Sequence, residues 1–319
     1  MIMTNAITLL LGLVGGALLY FGADFLVKGG VGIARKLRIP NLVIGLTMVA
    51  FGTSAPELTV SIDAALRGKG DISVGNVLGS NICNLALILG LCAIIKPLPV
   101  NRMVLKSDLP VMAVSTLAFS GFLFFTNGIP RWGGIVFVLM MAVYIACLFI
   151  VSKRDSSVQE SLTGEIEGEV QSIFRSLAEF AGGLAALIFG AKFFVSGAVC
   201  VARLVNVPEA VIALTVVAIG TSLPELAASA IATMRNETDI AVGNIVGSNI
   251  WNILCIIGIA PIIKPISLRD ISLPDIASLL LITLLAIPFF ITGRKVSRSE
   301  GIVWLLLYGA YITFLIIQQ

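Results

Sequence analysis

Two carboxylates of this chain stand where a carboxylate is expensive. Glu57 lies in GTSAPEL (Gly52–Leu58) and Glu225 in GTSLPEL (Gly220–Leu226), each deep within an apolar stretch. On insertion scales a charge at the centre of a membrane helix costs about 2.5–3.5 kcal/mol. Each motif also holds a proline, Pro56 or Pro224. Proline lacks an amide hydrogen and its ring crowds the preceding turn. Carbonyls near Ala50, Gly52 and Thr53, and near Ala218, Gly220 and Thr221, are therefore expected to leave the helical ladder. In hydrocarbon such groups survive only where protein or a polar cavity satisfies them, and a bound cation can do the same. Two carboxylates balance one divalent cation, and carbonyls and hydroxyls can complete the roughly six to eight oxygens that Ca2+ takes. All the candidate ligands are hard oxygens, which favours Ca2+ or Na+ over soft metals.

A second motif adds oxygen. Ser80 and Asn84 in DISVGNVLGSNICN share one helix face, and Ser248 and Asn252 repeat the arrangement in DIAVGNIVGSNIWN. The same segments carry GxxxG pairs, Gly75 with Gly79 and Gly243 with Gly247, which let a neighbouring backbone come close. Taken singly, a kinking proline, a GxxxG pair or a serine bonded to its own helix is ordinary. Their joint recurrence, in register, argues for a site. Two other charges lack that support. Asp63 is matched by Ile231 and is expected to face water near a span end. Asp24 is matched by Lys192, which is expected to snorkel or pair and is assigned no role.

The elements that must position these residues are membrane spans. Of the 319 residues, 58% are hydrophobic and only 12% charged, against about 25% charged in soluble domains. The apolar runs are mostly long enough for a bilayer, which takes about 20 residues. Ten spans are expected, near 5–27, 40–66, 72–95, 108–127, 132–151, 178–203, 208–233, 240–263, 271–293 and 301–317. The stretch from Phe21 to Leu58 aligns without a gap on that from Phe189 to Leu226, the same shift pairs the two serine–asparagine segments, and GIVFVLMMAVYI resembles GIVWLLLYGAYI. Such internal repetition decides architecture. Corresponding points are separated by five spans, an odd number, so the second half should cross upside down. The expected fold is an all-α polytopic membrane protein of ten helices in two inverted five-helix repeats, a construction typical of secondary transporters. Residues 1–151 form the first repeat, 152–177 a linker and 178–319 the second repeat. The repeat also argues that the apolar N-terminus is retained structure and not a signal peptide.

Lys and Arg concentrate in the loops after the odd-numbered spans, among them Arg35, Lys36, Lys153 and Arg154. That side is expected to be cytoplasmic, with the linker on it and both termini outside. The linker acids Asp155, Glu160, Glu165, Glu167 and Glu169 lack EF-hand spacing and read as a solvated segment. No nucleic-acid signature is present, no obligatory protein partner is evident, and no cofactor is expected. The five cysteines form no CxxC pair and read as small buried hydrophobes. The chain has no histidine, which removes the usual Ser-His and Cys-His pairings.

GTSAPEL…GNVLGSNICN and GTSLPEL…GNIVGSNIWN resemble the two alpha repeats of the sodium/calcium exchanger family, of the calcium/cation antiporter superfamily, over nearly the whole chain. The hydrogen/calcium branch carries its glutamates in a GNxxE context that is absent here. The resemblance implies a Na+/Ca2+ antiporter working by alternating access, of the prokaryotic type without regulatory domains. It implies that Glu57 and Glu225, with the carbonyls of Thr53 and Thr221, hold a central Ca2+. Ser54, Ser80, Ser222 and Ser248, with the carbonyls of Ala50 and Ala218, would complete flanking Na+ sites, and Asn84 and Asn252 would line the middle. In some relatives one of these two positions is Asp; two asparagines here speak against potassium coupling. The transported ions would be Ca2+ and Na+, the home the cell membrane. Spans 1 and 6 would slide past the rest, again by family likeness. A proton/calcium antiporter using the same carboxylates and, further off, a passive cation channel stay open as alternatives. An intramembrane hydrolase is weaker, lacking His or a paired catalytic Asp.

Overall fold

The computed structural model describes residues 2–154, 172–207, 212, 218–268, 271 and 273–317. In chain order its helices are α1 (Ile2–Leu37), the bent pair α2 (Asn41–Thr53) and α3 (Ala55–Leu66), α4 (Gly70–Ile95), α5 (Val104–Thr126), α6 (Arg131–Arg154), α7 (Ile173–Leu204), α8 (Leu223–Met234), α9 (Thr238–Ile263), α10 (Leu273–Ile291) and α11 (Arg298–Ile317). Eight are long and apolar enough to cross a membrane, nine if α2 and α3 count as one broken span. The expected span 208–233 falls partly outside the described residues, and α8 takes up its last part. Most of the linker also lies outside them, with its five acids. Helix α7 begins at Ile173, within the stretch assigned to the linker, and α1 runs on to Leu37, past the expected end at residue 27.

Helices α4 and α9 form the buried centre. On α9, a Cβ at Gly243 would lie 2.8 Å from the Leu42 carbonyl, and one at Gly247 would lie 2.8 Å from the Leu46 carbonyl. That GxxxG pair does admit α2 closely. At Gly75 and Gly79 of α4 no atom of the described residues would lie within 4 Å of a Cβ; the counterpart of α2 falls largely outside the described residues. Outside the centre, α1 and α7 lie along each other through small residues: a Cβ at Gly183 would lie 2.4 Å from the Leu26 amide nitrogen, and one at Gly197 would lie 2.6 Å from the Gly12 Cα. Helix α11 packs on α4 at Gly90 and Gly301, and α6 packs on α9 at Gly134 and Gly258.

Helices are not the whole of it. Four two-residue strands, β1 (Leu98–Pro99), β2 (Gly128–Ile129), β3 (Ile266–Ser267) and β4 (Lys295–Val296), pair antiparallel as β1 with β4 and β2 with β3. An all-helical expectation misses them because two residues are too few for any periodicity. They tie loops of one half to loops of the other. At Gly128 φ is +151° and a Cβ would meet the Ile266 carbonyl at 2.2 Å, so only glycine fits. Of the cysteines, Cys83 and Cys92 are buried, whereas Cys147 is exposed and Cys200 and Cys255 are half-buried, so three of the five are not the buried hydrophobes expected; all are free thiols.

Candidate cation site

The break at the first motif puts its carboxylate at a helix start. Helices α2 and α3 meet at a 46° bend. Ser54, between them, has φ −81° and ψ 5°, and Pro56 occupies the first turn of α3, where its missing amide hydrogen costs nothing. Ser222 has φ −89° and ψ 7° ahead of α8, with Pro224 in the same place. Glu57 and Glu225 therefore sit in the first turns of α3 and α8. The amide end of a helix dipole favours a negative charge there, which offsets part of the burial cost. Both side chains are buried, at 0% and 1% exposure. The freeing of carbonyls is less complete than the proline alone suggests. The Ala50 carbonyl still accepts the Ser54 amide at 3.1 Å, while the Ser222 amide turns instead to the Ile219 carbonyl at 3.0 Å. A carbonyl has two lone pairs, so the one at Ala50 retains capacity for a second partner.

The two motifs are stitched together reciprocally. The Ser54 hydroxyl donates to Glu225 Oε1 at 2.9 Å, and the Ser222 hydroxyl lies 3.2 Å from Glu57 Oε1. Ser80 Oγ lies 3.4 Å from Glu57 Oε1 and 3.2 Å from Ser222 Oγ. The serine of each motif thus reaches the carboxylate of the other. Behind them stand matched clamps that sequence reasoning did not single out. Asn76 Nδ2 donates to the Glu57 carbonyl at 3.2 Å and to Ser61 Oγ at 3.0 Å. Asn244 Nδ2 donates to the Glu225 carbonyl at 3.3 Å and to Ser229 Oγ at 2.9 Å. Their signal was present in the sequence: both asparagines follow the first glycine of the repeated GNxxGSN segment.

The centre holds several oxygens without a donor. Among the described residues, Glu57 Oε2, Glu225 Oε2, Asn84 Oδ1, Asn252 Oδ1 and Ser248 Oγ are buried and make no hydrogen bond, and neither does the buried Asn84 amide nitrogen; other such atoms, Asp108 Oδ2 and Ser176 Oγ among them, lie elsewhere. Buried acceptors are normally satisfied, and an exception asks for a reason. Asn84 and Asn252 each lie in a wide i→i+5 turn, Cys83–Ile88 of α4 and Asn252–Ile256 of α9, and such turns occur frequently at functional sites. Asn252 is steadied by Asn81, whose Oδ1 accepts its amide at 2.9 Å. Thr53 is fully buried, and its hydroxyl lies 3.1 Å from the Val49 carbonyl and 3.1 Å from Asn244 Oδ1. Thr221 is only half-buried. Ala218 opens the three-residue turn Ala218–Gly220 just before it. Of the two unsupported charges, Asp63 is exposed and pairs with Arg67 at 2.8 Å. Asp24 pairs with Lys28 at 2.9 Å and with Arg235, across to the end of α8.

The sequence matches the sodium/calcium exchanger protein family over residues 7–150 and 175–317. It is 38% identical over 315 residues to the putative antiporter CaxA of Alkalimonas amylolytica, covering 94% of this chain and 95% of that protein. It is 34% identical over 357 residues to the sodium/calcium exchanger MaX1 of Methanosarcina acetivorans, covering 99% of each. A solved structure of the sodium-calcium exchanger NCX_Mj superposes with a TM-score of 0.83 at 32% identity, over 97% of this chain and 99% of that one. Buried carboxylates at broken helices, a bundle of apolar helices and likeness over nearly the full length agree: the chain belongs to the sodium/calcium exchanger family, multi-pass membrane transporters and not enzymes.

Proposed function

We propose that this protein exchanges Na+ for Ca2+ by alternating access at the site between the two motifs. The observation that carries the reading is the pair of buried carboxylates, each held through one oxygen by the other motif's serine and leaving its second oxygen without a donor. In this reading Glu57 and Glu225, with the carbonyls of Thr53 and Thr221, hold Ca2+. Ser54, Ser80, Ser222, Ser248 and the carbonyls of Ala50 and Ala218 serve Na+, and Asn84 and Asn252 line the middle. The architecture behind it is ten spans in two inverted repeats, 1–151 and 178–319, with α2–α3 and the segment ending in α8 as matching broken spans. Several contacts favour that pairing. Ser54 with Glu225 and Ser222 with Glu57 exchange roles 168 residues apart, as do Asn76 and Asn244. Strands β1 and β3 stand at matching places in the two halves, as do β2 and β4, and each pairs across to the other half. The Lys/Arg bias places the linker inside the cell and both termini outside.

Coupling follows from charge. Two uncompensated carboxylates are costly to carry through an occluded, water-poor intermediate. One Ca2+, or several Na+, neutralises them and lowers that barrier, so loaded carriers cross and the empty one does not. The test is Na+-gradient-driven uptake of radiolabelled Ca2+ into proteoliposomes holding the purified chain. Uptake that requires the Na+ gradient is expected. Uptake driven by a pH gradient without Na+ would replace Na+ by protons as the counter-ion, and Ca2+ flux with no counter-ion requirement would make the protein a channel.

A further inference from the structure

The two halves carry opposite charges at one matching position, and the surroundings of those charges differ. Asp24 on α1 corresponds to Lys192 on α7. Asp24 is closed in: its neighbours Ala23 and Val27 are buried, and Lys28 and Arg235 pair with it. Lys192 is exposed and makes no ion pair among the described residues. It lines a cavity of about 440 Å³ whose other walls include Pro56, Thr59, Ala191, Gly220 and Thr221. A second cavity of about 600 Å³ shares Val195 and Ser196 with the first and reaches Arg203 near the end of α7. Together they run along one face of α7, from its last turn to the second motif.

The matching route on the other side is shut. Thr53 and Ala228 are buried at 0% and 1% exposure, whereas their counterparts Thr221 and Val60 are half-buried and exposed. The open route therefore has a lysine on its wall and a motif at its inner end.

We propose that Lys192 is a specificity-determining residue of the exchanger: its ammonium, set in the open access cavity, raises the electrostatic potential there and disfavours divalent over monovalent cations on that face. This rests on the exchange reading above. The physical basis is the charge dependence of Coulomb energy. A fixed positive charge acts on Ca2+ with twice the energy it exerts on Na+, so the factor by which it weakens Ca2+ is the square of the factor per Na+. For a separation of about 10 Å at the dielectric constant of water, the factors would be about fourfold for Ca2+ and about twofold for each Na+ at low ionic strength. With the cytoplasmic side assigned from the loop charges, the cavity opens outward, and Lys192 weakens each Ca2+ on that face more than each Na+, while a set of two Na+ is weakened as one Ca2+ is.

The test compares wild type with Lys192→Gln, Lys192→Arg and Lys192→Glu as full-length purified protein. Ca2+ and Na+ affinities are read by calorimetry at low ionic strength and as external KM values in proteoliposomes. Lys192→Gln should tighten Ca2+ about fourfold and Na+ about twofold per ion. Lys192→Glu should go further in the same direction, and Lys192→Arg should match wild type. Thr59→Lys, which adds a second ammonium to the same cavity, should weaken Ca2+ by a similar factor and serves if the position 192 variants do not fold. A purely structural lysine would move both ions alike, without the squared relation. Equal affinities in wild type, Lys192→Gln and Lys192→Glu, with wild type binding Ca2+ normally, overturn the role of Lys192 alone. A wild type that binds no Ca2+ overturns the exchange reading and this role together.

Discussion

Replacing Glu225 by glutamine separates two effects of one charge. The change keeps the shape, and the glutamine carbonyl can still accept from Ser54, now 2.9 Å from Glu225 Oε1. What is lost, on the proposed reading, is one of two charges facing the ion. Removing one partner of a buried charge pair costs about 2–5 kcal/mol, which is about 30- to several-thousand-fold in Ca2+ affinity. In the ion-free protein the sign reverses. A buried carboxylate costs about 2.5–3.5 kcal/mol on insertion scales, and the helix start and the Ser54 hydroxyl return only part of that. Ion-free Glu225→Gln should therefore unfold at a higher temperature than ion-free wild type. Thermal unfolding in detergent, with and without Ca2+, reads both effects. At a Ca2+ concentration of about 100 times its Kd, wild type gains about 2.7 kcal/mol. A variant weakened about 30-fold gains about 0.9 kcal/mol or less at that concentration. Glu57→Gln should behave alike. A full Ca2+-dependent shift in both variants would refute the charge-compensation argument, as would a lower ion-free unfolding temperature in both.

The remaining predictions concern the frame. Asn244→Ala removes donors to the Glu225 carbonyl and to Ser229 and should cost about 1–3 kcal/mol; Asn76→Ala, at a half-exposed position, should cost less, and equal losses in denaturant titrations would contradict this. Gly128→Ala, with φ +151° and the Ile266 carbonyl 2.2 Å from its new Cβ, should lower thermal stability by about 1–3 kcal/mol. The control Gly121→Ala, in open space within α5, should be neutral or better. Asp24 ties α1 to Arg235 at the end of α8, so Arg235→Asp should alter the initial rate of exchange and the double variant Asp24→Arg/Arg235→Asp should recover it. A double variant no closer to wild type than the single one would show that the pair is incidental.

Much of the site was legible because its chemistry is written twice. A lone Glu57 in apolar sequence is ambiguous, but Glu57 and Glu225 in matching frames, each three residues past the hinge serine at the start of a helix, point to one candidate site. What stayed hidden depends on contacts between the halves. Nothing in GNxxGSN says that its first asparagine clamps the backbone of the glutamate, because that bond spans nineteen positions, from Asn76 to Glu57. Nor does the proline reveal that the Ala50 carbonyl keeps the Ser54 amide: helix ladders reroute around a proline in ways set by neighbours. The β1–β4 and β2–β3 ladders were invisible for the same reason, being pairings across the halves of only two residues each. The charge at position 192 was visible in the sequence, where a lysine on an apolar helix reads as one that snorkels; the cavity beside it was not visible, because residues of α3 and of the second motif form its other walls.

Matching sequences with unequal surroundings are themselves informative. Gly243 and Gly247 press on α2, while among the described residues nothing would touch a Cβ at Gly75 or Gly79. Asn244 is buried and Asn76 half-buried, Thr53 is buried and Thr221 half-buried, Pro224 is buried and Pro56 half-buried. These differences run the same way: α2 and the second half's central helix are closed on each other, and the described positions that match them are more exposed. Sequence divergence does not account for this at Gly75, Asn76 or Gly79, whose counterparts are identical residues. On the proposed reading of two inverted halves a single conformation does, because such halves cannot both be open to the same side. On the exchange reading, transport is then the trade of these two sets of surroundings, with the glycine-lined pair α1 and α7 moving as one piece. In that trade Thr53 takes the exposure that Thr221 now has, and the pairing of Asp24 with Arg235 must yield.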